Sequence, residues 1–105
     1  MILEVATLNV KTGQEAAFEA AFARAQGIIR SMKGYRAHQL QKCVEHPNRY
    51  MLFVQWETLE DHTQGFRESP AYRDWKELLH HFYDPFPRVE HYEMVYSSSC
   101  GKPPR

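Results

Sequence analysis

Two hydrophobic periods alternate along this chain, and each change of period marks the edge of an element. Ile2 to Val10 is aliphatic and β-branched and predicts a strand, with Leu3 and Val5 on one face and Ile2, Ala6, Leu8 and Val10 on the other. Thr12-Gly13-Gln14-Glu15 has the spacing of a capping box and predicts a helix start. Phe18, Ala21, Phe22, Ala25, Ile29 and Met32 then recur three and four apart on one helical face, and Lys33-Gly34 predicts the stop. Tyr35 to Val44 reads as a second strand, His46-Pro47-Asn48-Arg49 as a turn, and Tyr50 to Trp56 as a third strand, so these segments form a hairpin. Thr58 to Phe66 opens with a capping signal and places Leu59, His62 and Phe66 on one helical face, weakened by Gly65. Ser69-Pro70 predicts another helix, with serine as cap and proline in its first turn, and a buried stripe of Ala71, Trp75, Leu78, Leu79 and Phe82. Asp84-Pro85-Phe86-Pro87 cannot continue a helix. Val89 to Tyr96 is the last expected strand.

The resulting order is βαββαβ, a ferredoxin-like α+β fold: a four-stranded antiparallel sheet with both helices on one face. One domain is expected over residues 1–96, followed by a polar, flexible tail over residues 97–105. The strands are apolar on both faces, since Tyr50, Leu52, Val54 and Trp56 alternate with Met51, Phe53 and Gln55. A sheet face without helices then needs a cover, and a second copy of the chain supplies it as a homodimer.

Composition narrows the class. Thirteen basic and thirteen acidic residues leave no net charge, which disfavours a partner bound through phosphate neutralisation, so no nucleic acid is expected. No apolar run approaches the roughly 20 residues of a membrane span, and the first residues do not read as a secretory signal. Two cysteines, Cys43 and Cys100, sit in no metal or redox spacing and read as free thiols of a cytoplasmic protein.

The passages Ile2-Leu3-Glu4-Val5 to Val10-Lys11-Thr12-Gly13-Gln14-Glu15, Met32-Lys33-Gly34-Tyr35, His46-Pro47-Asn48-Arg49-Tyr50, Trp56-Glu57-Thr58-Leu59-Glu60-Asp61-His62 and Phe66-Arg67-Glu68-Ser69-Pro70 follow one another in a diagnostic order. With that order the chain resembles the antibiotic biosynthesis monooxygenase domain family of dimeric α+β barrels, over about residues 1–96. The resemblance implies a cofactor-independent monooxygenase that binds a small aromatic or quinol-type substrate between sheet and helices and uses O₂. Trp56 matches the family's substrate-pocket tryptophan, whereas Leu52, His62 and about Lys76 stand where its asparagine, tyrosine and arginine would be. Ala6, Gly65 or Phe66, and about Lys76 replace the residues of the haem-degrading branch, so no haem ligand is matched.

His62 shares its helical face with Leu59 and Phe66, so its imidazole is directed at the sheet. There it is the candidate catalytic base, because a reference pKa of about 6.5 suits proton removal near neutrality. The substrate-binding candidates are Trp56, Phe66 and Trp75 as stacking walls, with Tyr83 or His81 as a hydrogen-bond donor. His80 and His81 lie about 100° apart around a helix, so they do not both face one pocket. No histidine pair has a standard metal spacing, and neither metal nor organic cofactor is expected. His38 and His91 sit on strands whose inward direction the pattern leaves open. A non-catalytic dimeric module holding an apolar ligand in the same cavity is the alternative, and an isomerase or decarboxylase using the same histidine is a third reading.

Overall fold

The computed structural model describes residues 1–99, so Cys100 and the end of the expected tail lie outside the described residues. The chain forms β1 (Ile2–Asn9), α1 (Glu15–Arg30), β2 (Tyr35–Lys42), β3 (Arg49–Trp56), α2 (Pro70–Leu79) and β4 (Arg88–Tyr92). A π-helical turn over Asp61–Phe66 precedes α2 and a short 3-10 turn over His80–Phe82 follows it. Strand order is β2-β3-β1-β4, and every neighbouring pair is antiparallel. This is the ferredoxin-like α+β arrangement that the element order implied.

Alternation in β1 and β3 turns Glu4, Ala6, Leu8, Tyr50, Leu52, Val54 and Trp56 toward the helices, and all are buried. Phe18, Ala21, Phe22, Ala25 and Ile29 of α1 close over them, as their helical spacing required. Trp75 and Leu79 of α2 complete the layer with Phe82 beyond it, while Ala71 and Leu78 are only half-buried. Each fully buried large side chain, such as Val54, Ile29 or Leu79, stabilises the fold by about 1.5–3 kcal/mol relative to exposure.

Several boundaries differ from the sequence-based expectation. No capping box forms at Thr12, because α1 begins after Gln14 with no side-chain cap. Thr12 and Gly13 instead form the centre of a turn that the Gln14 amide closes on the Lys11 carbonyl at 3.0 Å, and Gly13 supplies a φ of +88° that other residues resist. Helix α1 likewise stops at Arg30, and Gly34, at φ +84°, turns the chain into β2 four residues later. Strand β2 ends at Lys42 rather than Val44.

Strand β4 ends at Tyr92 rather than Tyr96, for a reason of pairing. Tyr92 lies opposite Leu3, so β1 has almost no chain left to pair with anything beyond it. Met94, Val95 and Tyr96 therefore stand exposed outside the sheet. The outer sheet face carries a half-buried apolar centre of Leu3, Val5, Met51 and Phe53, flanked by exposed Gln39, Gln41 and Gln55. Leu3, Val5 and Gln55 from this face, with Tyr92 and Met94, border an open groove of about 850 Å³. Among the described residues no helix is long and apolar enough to cross a membrane.

Candidate active site

The site begins with a carboxylate where an aliphatic side chain is expected. Glu4 occupies the inward register of β1 between Ile2 and Ala6 and is only 6% exposed. Its neighbour across the β1–β4 ladder is His91, and its diagonal neighbour on β3 is Trp56, whose own partner is Ile2. The Trp56 indole N–H donates to Glu4 Oε1 at 3.0 Å, which satisfies two polar groups in the core at once.

His62 reaches this pair from the π-helical turn. That segment starts with a reciprocal cap: Thr58 Oγ1 accepts from the Asp61 amide at 3.1 Å, and Asp61 Oδ2 accepts from the Thr58 amide at 3.2 Å. The Arg67 amide then bonds to the His62 carbonyl five residues back, at 3.1 Å, widening the turn so that both His62 and Phe66 point inward. The His62 ring lies nearly parallel to the Trp56 indole, 19° apart with centroids at 5.5 Å. Its Nε2 is 3.3 Å from Glu4 Oε1, and its Nδ1 is 2.8 Å from His91 Nε2.

Burial sets the charge states. Loss of hydration pushes the Glu4 carboxyl up to about 6, against the opposing pull of the Trp56 hydrogen bond and the Arg67 cation. The same loss of hydration pushes His62 down to about 3, with Arg67 and His91 acting in the same direction. His91 is held below its ordinary value by burial and by Arg67. Near neutrality the centre is therefore a carboxylate beside two neutral imidazoles rather than an ion pair.

Glu4 and His62 open on a cavity between sheet and helices, of about 60 Å³. Its aromatic and imidazole walls are Phe66, Tyr72, Trp75, His80 and Tyr83, and Leu52 contributes from the sheet. Burial raises the hydroxyls of Tyr72 and Tyr83, so both serve as hydrogen-bond donors rather than phenolates. Established small-molecule sites enclose several hundred Å³. This cavity is largely filled by its own side chains.

Of the residues singled out from sequence, His62, Phe66, Trp75 and Tyr83 meet at this cavity. Trp56 does not line it; the indole stands behind His62 and holds Glu4. His81, the alternative donor to Tyr83, is exposed and packs on the Phe82 ring, while His80 takes the inward position on the same turn. His38 belongs to a separate network with the Tyr35 hydroxyl at 2.6 Å and Gln26 Oε1 at 2.9 Å. Lys76 is exposed on α2. Glu4 and His91 were missed as a pair, although Glu4 was visible as the lone charge in an apolar period-two line. Among the described residues no three His, Cys, Asp or Glu side chains assemble into a metal-ligating group.

Comparison with known proteins identifies the fold and the family. The uncharacterized protein YczJ of Bacillus subtilis (strain 168) is 56% identical over 95 residues, spanning 90% of this chain and all of that one. A Bordetella bronchiseptica protein solved as a candidate antibiotic biosynthesis monooxygenase is 35% identical, with a TM-score of 0.87 over 90% of this chain and 97% of its own. SnoaB, a cofactor-independent oxygenase from Streptomyces nogalater, shares the fold at 19% identity, with a TM-score of 0.72 over 96% of this chain and 97% of its own. The antibiotic biosynthesis monooxygenase profile matches residues 1–78, and the chain belongs to that family.

Proposed function

We propose that this protein is a cofactor-independent monooxygenase that oxidises a small aromatic or quinol-type substrate with O₂ between its sheet and helices. The observation that supports this most is the buried Glu4–His62 pair opening on an aromatic-walled cavity. Neutral His62 accepts a phenolic or α-carbonyl proton at Nδ1, the nitrogen that half-exposed His91 otherwise covers. As His62 gains that proton, its Nε2–H proton passes to Glu4, so the imidazole stays neutral and the carboxyl holds the proton. The resulting carbanion passes one electron to O₂, and the two radicals combine at carbon. For a substrate methylene, one oxygen atom becomes the new carbonyl and the other leaves as water, with the base returning its proton. Phe66 and Trp75 act as stacking walls, Tyr83 as a donor to the substrate oxygen, and Trp56 as the support that holds Glu4 and His62 in place.

A planar substrate enters by displacing the half-buried Tyr72 and His80. The smallness of the closed cavity favours a second reading, a ligand-binding module without chemistry. O₂ uptake with an anthrone and with 1,4-naphthohydroquinone, corrected for autoxidation, separates the two. The oxygenase reading expects uptake that His62→Ala abolishes. Uptake unchanged in that variant removes the mechanism, and binding of either probe without uptake leaves the module.

The proposed working form is a homodimer in a reducing cytoplasm. A second copy laid over the Leu3, Val5, Met51 and Phe53 face would cover the groove that the overhanging Met94 and Val95 border.

A further inference from the structure

We propose that Glu4, His62 and His91 form a two-state proton relay joining the floor of the cavity to solvent, so that a proton taken up at His91 arrives on Glu4 through His62. The relay deepens the oxygenase reading, on which it rests only for its use in turnover. Its geometry is a continuous line. Glu4 is buried, His62 is 3% exposed, and His91 is half-exposed at the sheet edge, with successive contacts of 3.3 and 2.8 Å.

Hydrogen-bond donors and acceptors permit one arrangement for each protonation state. With Glu4 ionised, Oε1 accepts from Trp56, and His62 Nε2, carrying its proton, stands 3.3 Å from the same oxygen, a contact that must close by a few tenths of an ångström for transfer. His62 Nδ1 is then an acceptor, so His91 Nε2–H donates to it and His91 Nδ1 keeps its lone pair. When a proton from water adds to His91 Nδ1, the Nε2–H proton of His91 passes to His62 Nδ1. The Nε2–H proton of His62 passes to Glu4 Oε1. Two N–H bonds break, while two N–H bonds and one O–H bond form. The net change is one proton gained, with both imidazoles neutral and both tautomers reversed. Release retraces the same steps.

The surroundings favour this neutral course over a charged histidine. Arg67 follows the π-helical turn and opposes positive charge on both His62 and His91. Among the described residues, the other polar groups around the centre are the Trp56 indole from β3, the Tyr72 hydroxyl from α2, and His80 and Tyr83 across the cavity, none of which supplies a compensating negative charge near neutrality. Glu4, pushed up to about 6 by burial, is the member that holds the added proton most readily.

The test uses substrate-free protein with ¹⁵N-histidine and ¹³C-glutamate, titrated from about pH 8 to about pH 4.5, the range in which this carboxyl titrates. We expect His62 and His91 to change together from the Nε2–H to the Nδ1–H form as the Glu4 carboxyl protonates, with neither becoming imidazolium first. Glu4→Gln should hold both in the Nε2–H form throughout. A carboxyl that titrates while His62 keeps its Nε2–H form overturns the relay, and so does an imidazolium at His62 that precedes Glu4 protonation. The parent titration decides the matter even if the variant does not fold. Tautomer reversal without O₂ uptake from 1,4-naphthohydroquinone would sustain the relay and remove the oxygenase reading, and uptake without reversal would do the opposite.

Discussion

Ionising Glu4 works against the fold, and the sign is open to measurement. Its folded pKa of about 6 lies above its ordinary 4.5, so the native state binds more proton than the unfolded chain between those values. Stability attributable to this group is therefore present below about pH 4.5 and lost as pH rises through about 6, by about 2 kcal/mol. Glu4→Gln should exceed the parent by up to that amount at about pH 8 and show no advantage at about pH 4, as read by urea denaturation. His62 has the opposite sign, since a folded value of about 3 beneath 6.5 gives stability that is lost on acidification. His62→Gln should accordingly flatten the decline in melting temperature below about pH 4.5, where Glu4 no longer offsets it. Trp56→Phe removes the bond that lowers the Glu4 carboxyl, so in that variant its ¹³C titration should move above about 6. A buried acid that costs stability and survives on an otherwise apolar face is the pattern expected of a working residue.

At the scale of elements, the segment between β3 and α2 decides where His62 and Phe66 go. Its start depends on the mutual cap between Thr58 and Asp61, so Thr58→Ala should cost about 1 kcal/mol in chemical denaturation. Gly34 is coupled to the same cap from the α1–β2 turn. A Cβ there would run into the Asp61 side chain, and its φ of +84° resists any other residue. Gly34→Ala should therefore cost more than about 1 kcal/mol and displace the His62 imidazole resonances as well. The helix face of α1, the Ser69 cap and the β2–β3 hairpin were legible from spacing alone, because each depends on neighbours a few residues away. The Thr12 cap was not, because an isolated box pattern is overridden when a glycine next to it closes a turn.

For the whole molecule, the uncovered sheet face is the feature with the largest consequence. Its apolar centre predicts association, so sedimentation velocity at micromolar concentration should show a dimer, and Phe53→Arg should shift it toward monomer with the inner core intact. A parent protein that stays monomeric under those conditions would remove the dimer proposal. Period and turn chemistry were enough to set the element order, and the sheet topology follows from one short hairpin, β2–β3, and two helical crossovers that each leave one strand between the strands they join. The pairing of Glu4 with His91, the withdrawal of Trp56 behind His62, the choice of His80 over His81 and the size of the cavity all waited on the folded chain. Strand register arises from contacts between residues tens of positions apart, and a shift of one residue there would send these side chains to the opposite face. The turn that aims His62 is set by local bonds whose wide pitch no hydrophobic period announces.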